Sequence, residues 1–237
     1  MSSTPLKFDR PIPLFPLPNC VLFPGVVQPL HIFEPRYREM MEETLEDQSA
    51  VAMALLKPGW EKQYYGRPPV YETMCVGRVV AHERLEDGKF NLLLHGLARA
   101  KLLREEKRGL YRVGRLEPVL ELVNPTGIGE DSCPHARMQR KVLKEMFEKT
   151  ALRELTVAPM VGTLFEEDAP LGRLVDTLAF TLVQDPLLKQ QMLEQLDPLL
   201  RGELLLRELV SLAARLGTEV PIVGKKQDAW PPHISAN

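Results

Sequence analysis

The amino-acid sequence predicts an α+β fold: a β-rich half over residues 10–123, a helical half over 133–216, and a tail over 218–237. Three observations predict it. The 21 prolines cluster at 11–35, 58–69 and 118–134, and proline punctuates strands and turns more than it fills helices. Residues 124–134 are glycine, proline and small polar residues, the composition of a linker. Beyond them the apolar residues recur at helical spacing. With 237 residues, 44% of them hydrophobic and 26% charged, the chain can bury one large core or two modest ones.

The β-rich half opens with prolines at 11, 13, 16 and 18 among Ile12, Leu14, Val21 and Phe23. These prolines exclude helix and remove ladder donors, so an edge strand is the expected home of this segment. Pro24-Gly25 signals a turn, and residues 26–30 read as extended. Residues 33–45 read as a short helix with Pro35 in its first turn and Tyr37, Met40, Met41 and Leu45 inward. Residues 49–56 are nearly all apolar, as in a strand buried on both faces. Residues 71–83 form a further strand, with Gly77 where a bulge or a close backbone contact is expected. Asp87-Gly88 is a tight-turn signal that joins 76–83 to 89–95 as a hairpin. Residues 98–105 and 111–120 are two more extended segments. About six short strands with turns between them suggest a small barrel or folded sheet.

In the helical half, Met138, Val142, Leu143, Met146 and Phe147 share one side of a helix over 135–155. Asp168 reads as a helix start, feeding Leu171, Leu174, Val175, Leu178, Ala179 and Leu182. Asp185-Pro186 pairs a capping aspartate with a first-turn proline. Asp197-Pro198 breaks the run before a last helix over 199–216, with Gly217 as its stop. Several amphipathic helices in a row must bury their apolar faces on one another or on a sheet. The tail holds Lys225, Lys226 and an isolated Trp230, and frayed ends are its plain reading.

The 30 basic and 32 acidic side chains leave a formal charge of −2, so no global field is available to hold a nucleic-acid backbone. Cys20, Cys75 and Cys133 are odd in number and widely spaced, which is not a disulfide framework. Residues 1–10 lack a signal-peptide pattern, and no apolar run is long enough to span a bilayer. A cytoplasmic protein is expected.

No catalytic constellation stands out. The five histidines have no partner at helical ligand spacing, and Cys133-Pro-His135 is the single close Cys/His pair, so no metal site is expected. A Cys20–His31 pair beside the Pro-Gly turn is a weak nucleophile candidate, and a small buried thiol is the simpler account. GxSxG, GxxxxGK[ST] and GxGxxG are all absent. His31 and Glu34 sit where an extended segment hands over to a helix. Structural roles come first for them, His31 bonding the neighbouring strand and Glu34 accepting backbone donors at the helix start, and a direct role in ligand binding is the second reading. Arg36 and Arg38 are placed to pair with acidic neighbours or to present charge to a partner.

Several longer motifs then occur in a fixed order: residues 12–19 (IPLFPLPN), 21–25 (VLFPG), 29–37 (PLHIFEPRY) and 87–99 (DGKFNLLLHGLAR), followed by Leu174-Val-Asp176, residues 189–194 (KQQMLE) and Arg201. Over residues 10 to about 216 the chain resembles the N-terminal, substrate-recognition domain of the ATP-dependent protease Lon. The resemblance implies a β-rich, PUA-like pseudo-barrel followed by an α-helical bundle. It implies binding of unfolded or damaged polypeptide, or of a specific protein partner. Full Lon proteins continue into ATPase and serine–lysine protease modules. This chain has no Walker motif, and it is expected to be a stand-alone bacterial protein with no enzymatic activity and no cofactor.

The function expected is therefore a non-catalytic polypeptide-binding or adaptor module, acting as a monomer or a weak homodimer. Its candidate contact residues are Phe15, Phe23, His31, Phe33, Trp60, Tyr64, Tyr65 and Tyr71, since aromatic rings grip a chain without demanding one sequence. Two alternatives are carried. RNA binding through the PUA-like half would need a continuous patch from Arg67, Arg78, Arg99, Arg104 and Arg112. An enzyme or small-molecule binder would need a deep pocket with converging polar groups.

Overall fold

The computed structural model describes residues 6–47, 49–64, 66–107, 109–122, 133–166 and 169–217. Tyr65, Asp168, Trp230 and most of the expected linker lie outside them. It is an α+β protein: a mixed β-sheet followed by a C-terminal helical bundle. Two compact units divide the chain between Leu120 and Glu121.

The first unit holds β1 (Ile12–Leu17), β2 (Val27–Ile32), α1 (Pro35–Glu46), β3 (Val51–Leu55), β4 (Thr73–Arg84), β5 (Phe90–Lys107) and β6 (Arg112–Val119). The strands lie in the order β2-β5-β4-β3-β1-β6, and β6 also pairs with β5. Only the β1–β3 pair is parallel among the named pairings. Every residue of β3 is buried, as its unbroken apolar run requires of a strand covered on both faces. Leu14, Ala52, Ala54, Met74, Val76 and Ala100 form the heart of the sheet's core.

The proline-rich segment is not an edge strand, contrary to the sequence reading. β1 lies between β3 and β6. It accommodates its prolines because the two ladders overlap only at Leu14: residues 12–14 pair with β6, and residues 14–17 with β3. Pro13 and Pro16 each therefore have one flank without a strand partner, and a missing N–H on that flank costs no ladder bond. The extended runs 89–95 and 98–105 are likewise one strand, β5, of 18 residues. A register shift at Val76/Gly77 leaves Leu97 unpaired in its middle, and the sequence showed this irregularity only through Gly77. The hairpin turn is as expected, with Gly88 at φ +77°, a conformation that glycine adopts without strain. In α1, Tyr37, Met40 and Met41 are buried, and Thr44 takes the inward place read for Leu45.

The second unit holds α2 (Pro134–Lys149), α3 (Ala158–Glu166), α4 (Leu171–Leu182), α5 (Pro186–Glu194) and α6 (Pro198–Gly217), with a 3-10 turn over Ala151–Glu154. All six apolar residues read for α4 are buried. Asp185 caps α5 by accepting the Leu187 N–H at 2.9 Å, and Asp197 accepts that of Leu199 at 2.8 Å. Such caps contribute about 1 kcal/mol each. One reading is corrected and one helix was not read. The helix over 135–155 stops at Lys149 and buries Ala136, Leu143 and Phe147, while Met138 is 61% exposed. The region 158–166 is a further helix, weak in sequence because Pro159 and Gly162 lower its propensity, though the first turn tolerates proline.

Arg201 on α6 is fully buried. Its Nε lies 2.8 Å from Asp176 Oδ1 on α4, an ion pair without the angle of a hydrogen bond. Its other nitrogens donate to the Gln195 carbonyl at 2.6 Å and to the Glu121 carboxylate at 2.5 Å. Asp176 is itself 1% exposed, so each charge stands in for the water the other has lost.

Candidate functional site

Four of the eight candidate residues, His31, Phe33, Trp60 and Tyr64, come together with their neighbours on one part of the first unit. β2 alternates: Leu30 and Ile32 point into the core while His31 is half-buried on the other face. The register sets His31 opposite Asn91 of β5, and His31 Nδ1 hydrogen-bonds Asn91 Oδ1 at 2.8 Å. Asn91 Nδ2 in turn donates to Glu83 Oε2 at 3.5 Å. The cross-strand bond expected of His31 is therefore present. Phe33 follows on the turn into α1. It is 39% exposed, and its ring stacks on His31 with centroids 6.1 Å apart.

Glu34 departs from the sequence reading. It occupies the N-cap of α1, yet its side chain caps no backbone donor. Its carboxylate instead accepts the Tyr64 O–H at 2.6 Å and pairs with Arg36 at 2.8 Å. Arg36 also donates to the Tyr64 carbonyl at 3.4 Å and lies over the rings of Tyr37 and Tyr64, at 4.7 and 5.0 Å. Trp60 meets Tyr64 edge to face at 5.5 Å. One ionic and aromatic cluster thus ties the β2–α1 turn to the excursion around residues 60–64. Partial burial and charge assistance strengthen such bonds. Burial, and then the bond to Glu34, push the Tyr64 phenol up to about 12. Burial also raises the Tyr37 phenol.

The remaining candidates separate. Phe23 is fully buried and Phe15 is 4% exposed. Phe15 packs edge to face on Tyr37 at 4.6 Å, supporting the cluster from below rather than offering a surface. Tyr71 stands apart, with Lys57 Nζ 5.6 Å from its ring centre. Tyr65 lies outside the described residues. The cleft walled by Phe15, Leu30, His31, Phe33 and Tyr37 is only about 20 Å³, room for a water-sized group. The sequence reading placed Tyr37 in the core only and, though it weighed Glu34 for ligand binding, missed that its carboxylate bonds Tyr64. The Glu-Pro-Arg-Tyr run was the available signal, but its partner Tyr64 lies 30 residues away.

The weak nucleophile candidate has a different partner: the Cys20 thiol donates to Gln28 Oε1 at 3.5 Å. Among the described residues no group of three or more His, Cys, Asp or Glu could hold a metal ion, and no helix is long and apolar enough to cross a membrane. The arginines required for RNA do not make one exposed patch. Arg99 is 2% exposed, and Arg112 is buried against Glu105 while donating to the Pro68 carbonyl. Arg104 faces Glu106.

The mixed sheet and helical bundle are those of a substrate-binding domain: residues 11–211 match the family model for the "ATP-dependent protease La (LON) substrate-binding domain". The chain belongs to that family. It is 26% identical over 225 residues to a Lon protease of Anaeromyxobacter dehalogenans, covering 90% of this chain and 26% of that one. It is 24% identical over 226 residues to Lon protease 2 of Myxococcus xanthus, with the same shares covered. The chain thus spans about a quarter of the length of these curated relatives. The match is to the substrate-binding domain of such proteins and not to their ATPase or protease domains. The fold is similar to that of a Lon N-terminal domain protein from Xanthomonas campestris (TM-score 0.59, 23% identity, 84% of this chain and 98% of that one). It is similar also to the N-terminal domain of a Mycobacterium avium complex Lon protease (TM-score 0.64, 17% identity, 85% and 98%).

Proposed function

We propose that this chain is a non-catalytic module that binds unfolded or damaged polypeptide, or a protein partner presenting an extended apolar segment. In this reading it has no ATPase or protease activity of its own and acts in the cytoplasm. The observation that carries the proposal is the cluster of Phe33, His31, Trp60 and Tyr64 around the Glu34–Arg36 pair, in a chain of a substrate-binding family. The exposed Phe33 and half-buried Trp60 supply apolar area. The ion pair and the Tyr64 bond fix the backbone that presents them. Tyr71 is read as a flanking contact. The strand set is read as a PUA-like pseudo-barrel, supported by the return of β6 to pair with β5.

The site is tested by substitution. Phe33→Ala and Trp60→Ala together are expected to weaken binding of a labelled, permanently unfolded polypeptide by about tenfold or more, the cost of losing two central aromatic anchors. Fluorescence anisotropy reads the change. Unaltered affinity in a folded double variant contradicts this placement of the site.

A further inference from the structure

The chain passes from the sheet to the helical unit in very few residues. β6 ends at Val119, which still pairs with Arg99 of β5. Leu120 follows and is 81% exposed. Glu121 and Leu122 already belong to the second unit and are bonded within it. The Leu122 N–H donates to the Leu196 carbonyl at 3.1 Å, and the Glu121 carboxylate accepts from the Arg201 guanidinium at 2.5 Å. One residue, Leu120, therefore separates the last residue paired in the sheet from the first one bonded in the bundle.

Two features make the Glu121 bond separable from the packing of the bundle. Arg201 has other partners, the Asp176 carboxylate at 2.8 Å and the Gln195 carbonyl at 2.6 Å. When Glu121 leaves, the buried cation keeps a buried counter-charge. The Glu121 side chain is 33% exposed, so water can take the place it vacates. The second feature is Gly172, buried in the first turn of α4. A Cβ at this position would stand 2.6 Å from Glu121 Oε2 and 3.0 Å from Arg201 Nη2. Glycine is a weak helix former, and here its bare backbone leaves the seat that the carboxylate fills.

We propose that the Glu121–Arg201 ion pair is a latch. It holds residues 121–122 on the helical bundle, keeps the connector between the units one residue long, and opens without unfolding the bundle. With the latch open, the next hold among the described residues is α2, which begins at Pro134.

The test compares Glu121→Ala and Gly172→Ala in the full chain. The first removes the carboxylate, and the second keeps it but takes away its seat. In both, exchange of the Leu122 amide, followed by NMR, is expected to quicken about tenfold or more, the loss of one charge-assisted hold. Chymotrypsin is expected to cut at Leu120 or Leu122 faster by a similar factor. The amides of α6 around the buried Leu209 are expected to exchange as before. The double variant is expected to be no faster than either single one, since both substitutions open the same bond. Unchanged Leu122 exchange in both single variants overturns the latch. Equal loss of protection at Leu122 and Leu209 also overturns it, because Glu121 would then support the whole bundle rather than hold one segment. A double variant that multiplies the two single effects overturns the assignment of Gly172 as the seat.

Discussion

Glu34 shows how a single side chain organises the candidate site. A carboxylate at a helix N-cap ordinarily accepts a backbone donor. Here it accepts the Tyr64 phenol and the Arg36 guanidinium, so it joins two segments rather than finishing one helix. The Tyr64 phenol titrates accordingly. Unfolded, a tyrosine ionises near 10, and folded Tyr64 is pushed up to about 12 by burial and by the bond to Glu34. The folded state holds this proton more tightly. Its contribution to stability is therefore complete below pH 10 and is lost as the pH rises through about 12. An absorbance titration of the protein minus that of Tyr64→Phe should show one phenol with a midpoint near 12, and a midpoint near 10 would contradict the bond. Little of this was legible in sequence. His31, Phe33 and Trp60 stood out as types, and the cross-strand partner of His31 was expected in kind. The pairing of Glu34 with Tyr64 depends on a tertiary approach that no local pattern encodes.

Elements were more legible than their phases. Strand runs, the Asp-Gly hairpin, the Asp185 cap and the inward face of α4 follow from alternation, turn chemistry and helical spacing, all of them local. The buried face of α2 does not. Apolar residues at 136, 138, 142, 143, 146 and 147 ring more than one face, and packing selects Ala136, Leu143 and Phe147. β1 misled for a related reason, since its two half-ladders are set by β3 and β6 and not by its own prolines. The helices are also joined by a bond the sequence hid: Arg201 on α6 to Asp176 on α4 and to Glu121. Arg201→Ala would take the buried cation away from the buried Asp176 carboxyl, at a cost of about 3–5 kcal/mol. Arg201→Ala combined with Asp176→Ala should recover part of that loss. Urea unfolding of Arg201→Ala, Asp176→Ala and the double variant measures this coupling, and purely additive losses would show that the ion pair carries no stability of its own.

At the scale of the whole molecule, the order of motifs along residues 10 to 216 carried more than any one of them. It pointed to the Lon substrate-recognition family before the fold was seen, and the family match over residues 11–211 agrees. Near-neutral charge argued against a nucleic-acid surface, and the burial of Arg99 and Arg112 and the carboxylates beside Arg104 and Arg112 act in the same direction. What the sequence could not convey is where concave surface arises. The concave region lined by Arg78, Val79, Val80 and His82 lies past the Cys75–Gly77 stretch that pairs with β3, a fact of register between distant segments. The measurement that tests the central claim most directly is a fluorescence anisotropy titration of the purified protein with a labelled polypeptide that cannot fold, beside the folded form of that polypeptide and a short RNA. The account predicts saturable binding of the unfolded chain alone. Equal binding of the folded form, preference for the RNA, or no binding of the unfolded chain at high micromolar protein would contradict it.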